Sequence, residues 1–437
     1  MKILYFAHNL TSFPLISIIK MVKNDIQKGI TKMRAYERFL NYAVIRTPSD
    51  ENSGTFPSSK CQFDLAYVLA DEMKKLGVQD VEVSEYCYVY GKLPATPGYE
   101  NKTKIGFIAH MDTVSDFCDH DITPVIHENY DGKDLVLGTS GRTLSVKNFP
   151  HLPSLAGRTL ITTDGTTVLG ADDKAGIAEI LTMVERLNTE NIPHGPLRIA
   201  FTPDEEIGEG TANFDIKKFD AEYAYTMDGG PEGEVEYETF NAAGATFEIE
   251  GFNVHPGSSK DTMINASLVA FEINNMLPGC ETPRGTEGYE GFYHLTNISG
   301  DVAHATLQYI IRDHDSNSLE ARKNTLRLIE KNLNEKWGAG TVTLTIKDQY
   351  RNMKEVIVNH FHLVENARLA WQAVGVTPIN SVVRGGTDGC QLSFMGLPCP
   401  NVGTGGYAYH GPFEHITVEA MDLATDMAVE LVKIYAK

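Results

Sequence analysis

The chain lacks any run of about 20 consecutive apolar residues, which excludes an obvious membrane-spanning helix. It lacks CxxC spacing. Cys61, Cys87, Cys118, Cys280, Cys390 and Cys399 are scattered, which excludes a zinc knuckle and gives no disulfide framework; they read as reduced intracellular thiols. Positive charge is scarce, with 38 Lys+Arg against 58 Asp+Glu and a formal net charge of −20. Such a surface repels phosphate backbones and anionic lipid, so neither a nucleic acid nor a membrane is an expected partner. Several catalytic signatures are missing: no HExxH, no GxSxG elbow, no P-loop and no GxGxxG. Residues 15–19 are largely apolar, but His8, Asn9 and Pro14 interrupt the stretch and no small-residue cleavage site follows. No signal peptide is therefore expected, and the cytoplasm is the expected compartment.

What is present is globular. Of 437 residues, 42% are apolar and 22% charged, enough for a sizeable core and for two or three domains. Apolar residues at helical spacing predict helices over 33–45, 62–76, 174–188 and 417–435. Short apolar runs predict strands over 104–109, 197–202 and 222–227. Strands alternating with helices point to an α/β layer with a largely parallel sheet. From about residue 239 the order changes to strand 246–252, helix 262–277, strands 292–298 and 303–312, helix 318–337 and strand 341–347. That β-α-β-β-α-β order is the ferredoxin-like unit. The expected organisation is an extension over 1–32, a catalytic unit from 33–238 and 351–437, and an inserted α+β unit over 239–350.

Five polar clusters fall at the ends of predicted strands, the edge where open α/β sheets bind ligands. His110-Met111-Asp112 places imidazole and carboxylate two apart, on one side of a strand; alone such a pair more often marks a surface turn. In GADDKAG (170–176), Asp172 and Asp173 precede a helix, where one acid would serve as a cap and two with flanking glycines exceed that need. Asp204-Glu205-Glu206 sets three carboxylates in a row, which repel unless a cation neutralises them or water solvates them. Asp228-Gly229-Gly230 and His410, after the glycine-rich 403–406, complete the set. Imidazole and carboxylate without thiolate suit Zn²⁺, Mn²⁺ or Co²⁺, and one carboxylate can bridge two cations ~3.5–4 Å apart.

In order along the chain, GADDKAGIAEI (170–180), IPHG (192–195), AFTPDEE (200–206), TEGYEGFYHL (286–295), YIIRD (309–313), RGGTDG (384–389) and LSFMGLPCPN (392–401) resemble the M20 family of co-catalytic metallopeptidases, and within it the tripeptide aminopeptidases. The likeness runs from about residue 33 to 437. It implies a metallopeptidase α/β catalytic domain with an inserted ferredoxin-like lid, and two zinc ions per subunit. By resemblance, His110 and Asp228 hold one zinc, Glu206 and His410 the other, and Asp172 bridges them. Asp112 then orients His110, and Glu205 is the general base acting on the water between the metals. His255 resembles the histidine that polarises the scissile carbonyl. Arg312 and Arg384 resemble arginines that bind substrate carboxylate, a task suited to a guanidinium fork. The implied partners are short peptides, and the inserted unit is the candidate surface for a homodimer. Another M20 activity (dipeptidase, carboxypeptidase or N-acyl amino acid amidohydrolase) would use the same metal ligands. A non-catalytic metal-binding protein would be expected to lack Glu205 or Asp112. Two departures stand out: residues 1–32 precede the usual start of the family, and Gly411-Pro412-Phe413-Glu414 replaces a more basic, histidine-bearing run.

Overall fold

The computed structural model describes residues 32–138 and 140–437, so the expected N-terminal extension lies, but for Lys32, outside the described residues. The strands Ile105–His110 and Leu197–Thr202 are buried at every position. A strand with no exposed side must be covered on both faces, as in a layered α/β sheet. They sit inside an eight-stranded sheet in the order Gln79–Val83, Val89–Leu93, Leu197–Thr202, Ile105–His110, Tyr223–Gly229, Asn401–Gly403, Glu234–Glu238, Ile379–Val382. Leu197–Thr202, Ile105–His110 and Tyr223–Gly229 run parallel, so their C-terminal ends share one edge. That edge carries the Asp204–Glu206 loop, His110 and Asp228.

One face of the sheet is covered by helices Ala35–Ala43, Ala171–Thr189, His362–Ala373 and Val418–Ala436, whose apolar stripes merge with the strands into one core. The glycine at 176 has a packing reason: a Cβ there would lie 1.9 Å from the Met227 carbonyl oxygen. Only glycine lets this helix press against the strand that carries Asp228. On the other face, Tyr88, Ile108, Ala200, Ala224, Leu392 and Cys399 form a second cluster.

The later segment folds as a four-stranded antiparallel sheet in the order Phe292–Gly300, His304–Asp313, Asn241–Glu250, Val342–Tyr350. Alternate residues Ala243, Ala245, Phe247 and Ile249 face its helices Ala266–Asn275 and Ser316–Trp337. Burial of Phe247 alone contributes about 1.5–3 kcal/mol. The β-α-β-β-α-β order and this strand order are ferredoxin-like. The first strand begins at Asn241, five residues before the expected 246, because Asn241 pairs with Asp313 and Ala242–Gly244 pair with both neighbours despite their small side chains. The helix expected from 262 begins at Ala266, since Asn265 caps it by accepting the Leu268 N–H.

The chain crosses between the two sheets twice, and the crossings are tied together. Asn352 accepts the Thr239 N–H at 3.0 Å, Asn241 accepts the Asn352 N–H at 2.9 Å, and both asparagine amides donate to the His314 carbonyl. A smaller sheet in the order Gly406–Tyr407, His415–Thr417, Leu160–Thr163, Pro124–His127 flanks the main one. No helix of the described residues is long and apolar enough to cross a membrane.

Candidate metal centre

His110 ends its strand with a buried imidazole. Its Nε2 lies 2.9 Å from Asp172 Oδ1 and 3.5 Å from Asp228 Oδ1. His410 reaches the other oxygen of the same aspartate: its Nε2 lies 3.1 Å from Asp172 Oδ2 and 3.0 Å from Glu206 Oε2. Asp172 thus faces one histidine with each oxygen. Ligand atoms of His110, Asp172 and Glu206 all lie within 4.8 Å of one another, as do those of His110, Glu205 and Asp228.

The acidic pair 172–173 divides its contacts. Asp173 takes the capping role, with Oδ1 accepting the Gly176 N–H at 3.3 Å and Oδ2 accepting the His110 N–H at 3.1 Å. Asp172 is left with both oxygens for the histidines. The residue before this helix, Gly170, has φ 74°, a turn that glycine adopts without strain.

The triple 204–206 divides three ways. Asp204 turns away from the centre and is buried, accepting from Ser58 N at 2.7 Å and Gln62 Nε2 at 2.6 Å. Glu206 meets His410. Glu205 stays near His110 and Asp228. Asp112 has a larger task than its sequence neighbourhood suggests. The His110 Nδ1 lies 3.0 Å from the Asp112 carbonyl oxygen and 3.4 Å from its carboxylate. The carboxylate itself accepts the N–H groups of Glu205 at 3.0 Å and Glu206 at 3.1 Å.

Electrostatics fit a cation-binding site. Burial is the largest influence on Glu205, Glu206 and Asp228; it pushes Glu205 well up, Glu206 to about 7 and Asp228 to about 6. Hydrogen bonds to Asp172 and Glu206 lift His410 to about 11. Burial lowers His110, but Asp228, Asp112 and Asp172 outweigh it and hold it well above the ordinary histidine value. Packed, buried carboxylates repel one another unless positive charge neutralises them, and a divalent cation supplies that charge. Two imidazoles, several carboxylates and no thiolate make a donor set for borderline divalent metals.

Other candidates lie elsewhere. His255 sits in an exposed turn, where its Nδ1 accepts the Gly257 N–H at 3.1 Å. Arg312 Nη1 donates to the carbonyls of Ile311 at 3.0 Å and Ala243 at 3.3 Å, and its guanidinium lies 5.3 Å from the Tyr350 ring centre. Arg384 donates to Gly288 O, Glu290 O and Thr286 Oγ1, each at 2.8 Å, and its guanidinium lies 5.0 Å from the Phe240 ring centre and 5.6 Å from that of Phe292. Among the described residues, no hydrogen bond or ion pair joins His255, Arg312 or Arg384 to the cluster.

Two residues of the site escape the sequence reading. Glu414 is buried and accepts N–H groups of the loop leading to Asp172. Asp388 is buried against the loop that follows Glu206; a Cβ on Gly210 would lie 2.1 Å from its Oδ1.

Residues 169–434 match the peptidase family M20/M25/M40. Peptidase T of Halothermothrix orenii is 52% identical over 405 residues, covering 92% of this chain and 99% of that protein. Peptidase T of Clostridium perfringens strain 13 gives the same figures. Among solved structures, an aminopeptidase PepT from Bacillus cereus superposes with a TM-score of 0.73 at 23% identity, covering 93% of this chain and all of that one. A dinuclear metal-binding M20 peptidase from Bacillus subtilis superposes with a TM-score of 0.59 at 15% identity, covering 92% and 98%. With half its residues shared with such relatives across nearly its whole length, and with the site geometry above, this chain belongs to the peptidase family M20/M25/M40.

Proposed function

We propose that this protein is a metal-dependent aminopeptidase that releases the N-terminal residue of tripeptides, working with two zinc ions in the cytoplasm. The observation that carries the reading is Asp172 facing His110 with one oxygen and His410 with the other. That arrangement suits a bridging carboxylate between two positions, one completed by Asp228 and the other by Glu206. The curated relatives named peptidase T, and a Staphylococcus aureus tripeptidase sharing the fold with a TM-score of 0.73, support the tripeptide assignment. In this reading residues 33–238 and 351–437 form the catalytic unit and 239–350 the lid.

Bound divalent cations supply Lewis acidity and lower the pKa of water toward neutrality. The chain's own residues do the rest. Glu205 takes the proton of the attacking water and passes it to the leaving amine. Asp112 fixes the backbone of Glu205 while His110 is held by the adjoining carbonyl. His255 donates toward the oxygen that gains charge in the transition state, which requires the lid to close over the substrate. Arg312, and Arg384 once freed from the 286–290 loop, meet the far carboxylate of the peptide. Exposed Leu268 and Phe271 on the lid helix support a homodimer through that unit, which sedimentation would check.

The test is a panel of di-, tri- and tetrapeptides with free and blocked termini, offered to the zinc-loaded protein whose metal content has been measured. Two ions per chain and fastest cleavage of tripeptides with a free amino terminus are expected. Fastest turnover of N-acylated substrates or dipeptides would transfer the protein to another hydrolytic activity of its family.

A further inference from the structure

Glu414 lies outside the set of metal ligands, yet it touches the backbone on which that set depends. Its side chain is 1% exposed. Oε2 accepts the N–H of Leu169 at 2.6 Å and of Gly170 at 2.9 Å, and Oε1 accepts the N–H of Asp172 at 3.0 Å. All three donors belong to the four residues that enter the helix Ala171–Thr189. They include the amide of Asp172 itself. Glu414 also stands four residues after His410, and it lines one small cavity together with Asp172, Glu206 and His410. A single carboxylate therefore clasps the segment carrying the bridging aspartate from within the segment carrying one of the histidines.

We propose that Glu414 is the positioning residue of the metal centre: by holding the 169–172 backbone, it presents Asp172 to both histidines and couples the two metal positions to each other. Burying a carboxylate is costly unless it is hydrogen-bonded. A purely local structural role would be met by any backbone amides; here the amides are those that set the orientation of Asp172. The carboxylate reaches them across 242 residues of sequence. Outer partners of this kind commonly tune metal affinity by about 10–100-fold. This inference rests on the two-metal reading above.

The experiment titrates metal-free protein with Co²⁺ in competition with a chelator, following the visible absorption of the bound ion, and records the thermal unfolding of the metal-free form in parallel. Glu419→Gln is the control, because Glu419 also clasps backbone, the Thr159 N–H at 2.9 Å, away from the cluster. Glu414→Gln keeps the shape of the side chain but turns an amide NH₂ toward backbone donors. It is expected to weaken both Co²⁺ steps by about 10–100-fold and to alter the spectrum of both sites, while Glu419→Gln leaves both unchanged. Glu414→Asp, which keeps the charge but withdraws it by one methylene, is expected to show the same loss and decides the matter if Glu414→Gln does not fold. Wild-type affinity in the Glu414 variants, or equal losses in Glu419→Gln, overturns the inference. Failure of the unaltered protein to bind two ions would instead overturn the two-metal reading itself.

Discussion

Asp112 holds Glu205 by its backbone. The two carboxylate oxygens of Asp112 take the N–H groups of Glu205 and Glu206 separately, at 3.0 and 3.1 Å. The acid expected to orient His110 also fixes where the next strand's loop begins, 93 residues later. A base that must reach a water molecule within a few tenths of an ångström benefits from such fixing.

The adjacent glutamates are expected to separate on substitution. Glu205→Gln should retain both metals and the fold, and lose about 10²–10⁴-fold in kcat with KM little changed. Glu206→Gln, which disturbs the contact with His410, should lose one metal. Metal analysis beside steady-state kinetics checks this; identical behaviour of the two variants would falsify the roles.

Asp112→Asn presents one oxygen and one NH₂ to two backbone donors, so one donor is left buried and unpaired. A stability loss of about 1–3 kcal/mol is expected. Activity should fall further than Asn-for-Asp exchange at Asp204 causes, because Asp204 clasps Ser58 and Gln62 and faces away from the site. Chemical denaturation and kcat/KM on the same preparations measure both.

The far end of a tripeptide offers a third test. A carboxylate two residues beyond the scissile carbonyl lies about 7 Å away at ~3.3–3.6 Å per residue. C-terminal amidation is expected to cost about tenfold or more in kcat/KM, some 1.4 kcal/mol. Arg312→Ala should erase most of that penalty. Arg384→Ala should do so too, and should also speed amide exchange across 286–290, since its guanidinium ties that loop down. An amidated tripeptide cleaved as fast as the free acid removes the clamp from the account.

Acid sensitivity has a definite source in His415. Burial is the main cause that brings it to about 4; its Nδ1 donates to Phe413 O at 2.7 Å and its Nε2 accepts from His151 at 2.9 Å. Tyr407, Phe149 and Phe413 surround the pair. A base depressed on folding contributes stability that is present above its unfolded value near 6.5 and is lost as pH falls toward 4. The loss from this group is about 3 kcal/mol. Calorimetric unfolding between pH 4 and 6.5 should show one fewer proton taken up by His415→Gln than by the unaltered protein. An unchanged slope would locate the sensitivity elsewhere.

The strand-end clusters were legible because local pattern carries them: an apolar run followed at once by His or Asp marks a sheet edge. The split of Asp172 from Asp173 was legible in part, since one cap was anticipated. Glu414 was not, because its partners at 169–172 are remote in sequence and the run Gly411–Glu414 stands out only as a departure from the family pattern. Asp388 was hidden for the same reason inside a glycine-rich run. The small flanking sheet also went unseen: Leu160–Thr163 and His415–Thr417 are too short to show a period. The helix predicted over 262–277 spans only Ala266–Asn275, because Asn265, its cap, lies within the apolar pattern.

Asn401–Gly403 occupies the interior of the main sheet, between Tyr223–Gly229 and Glu234–Glu238. The strand that closes the middle of the sheet is thus synthesised after all seven of its other strands, and His410 and Glu414 follow it. At ~5–20 residues per second, roughly ten to forty seconds separate synthesis of Asp228 from that of His410. Throughout that interval the growing chain lacks both the strand that closes the sheet and the histidine that faces the second oxygen of Asp172, so the cluster is assembled only when the fold itself is.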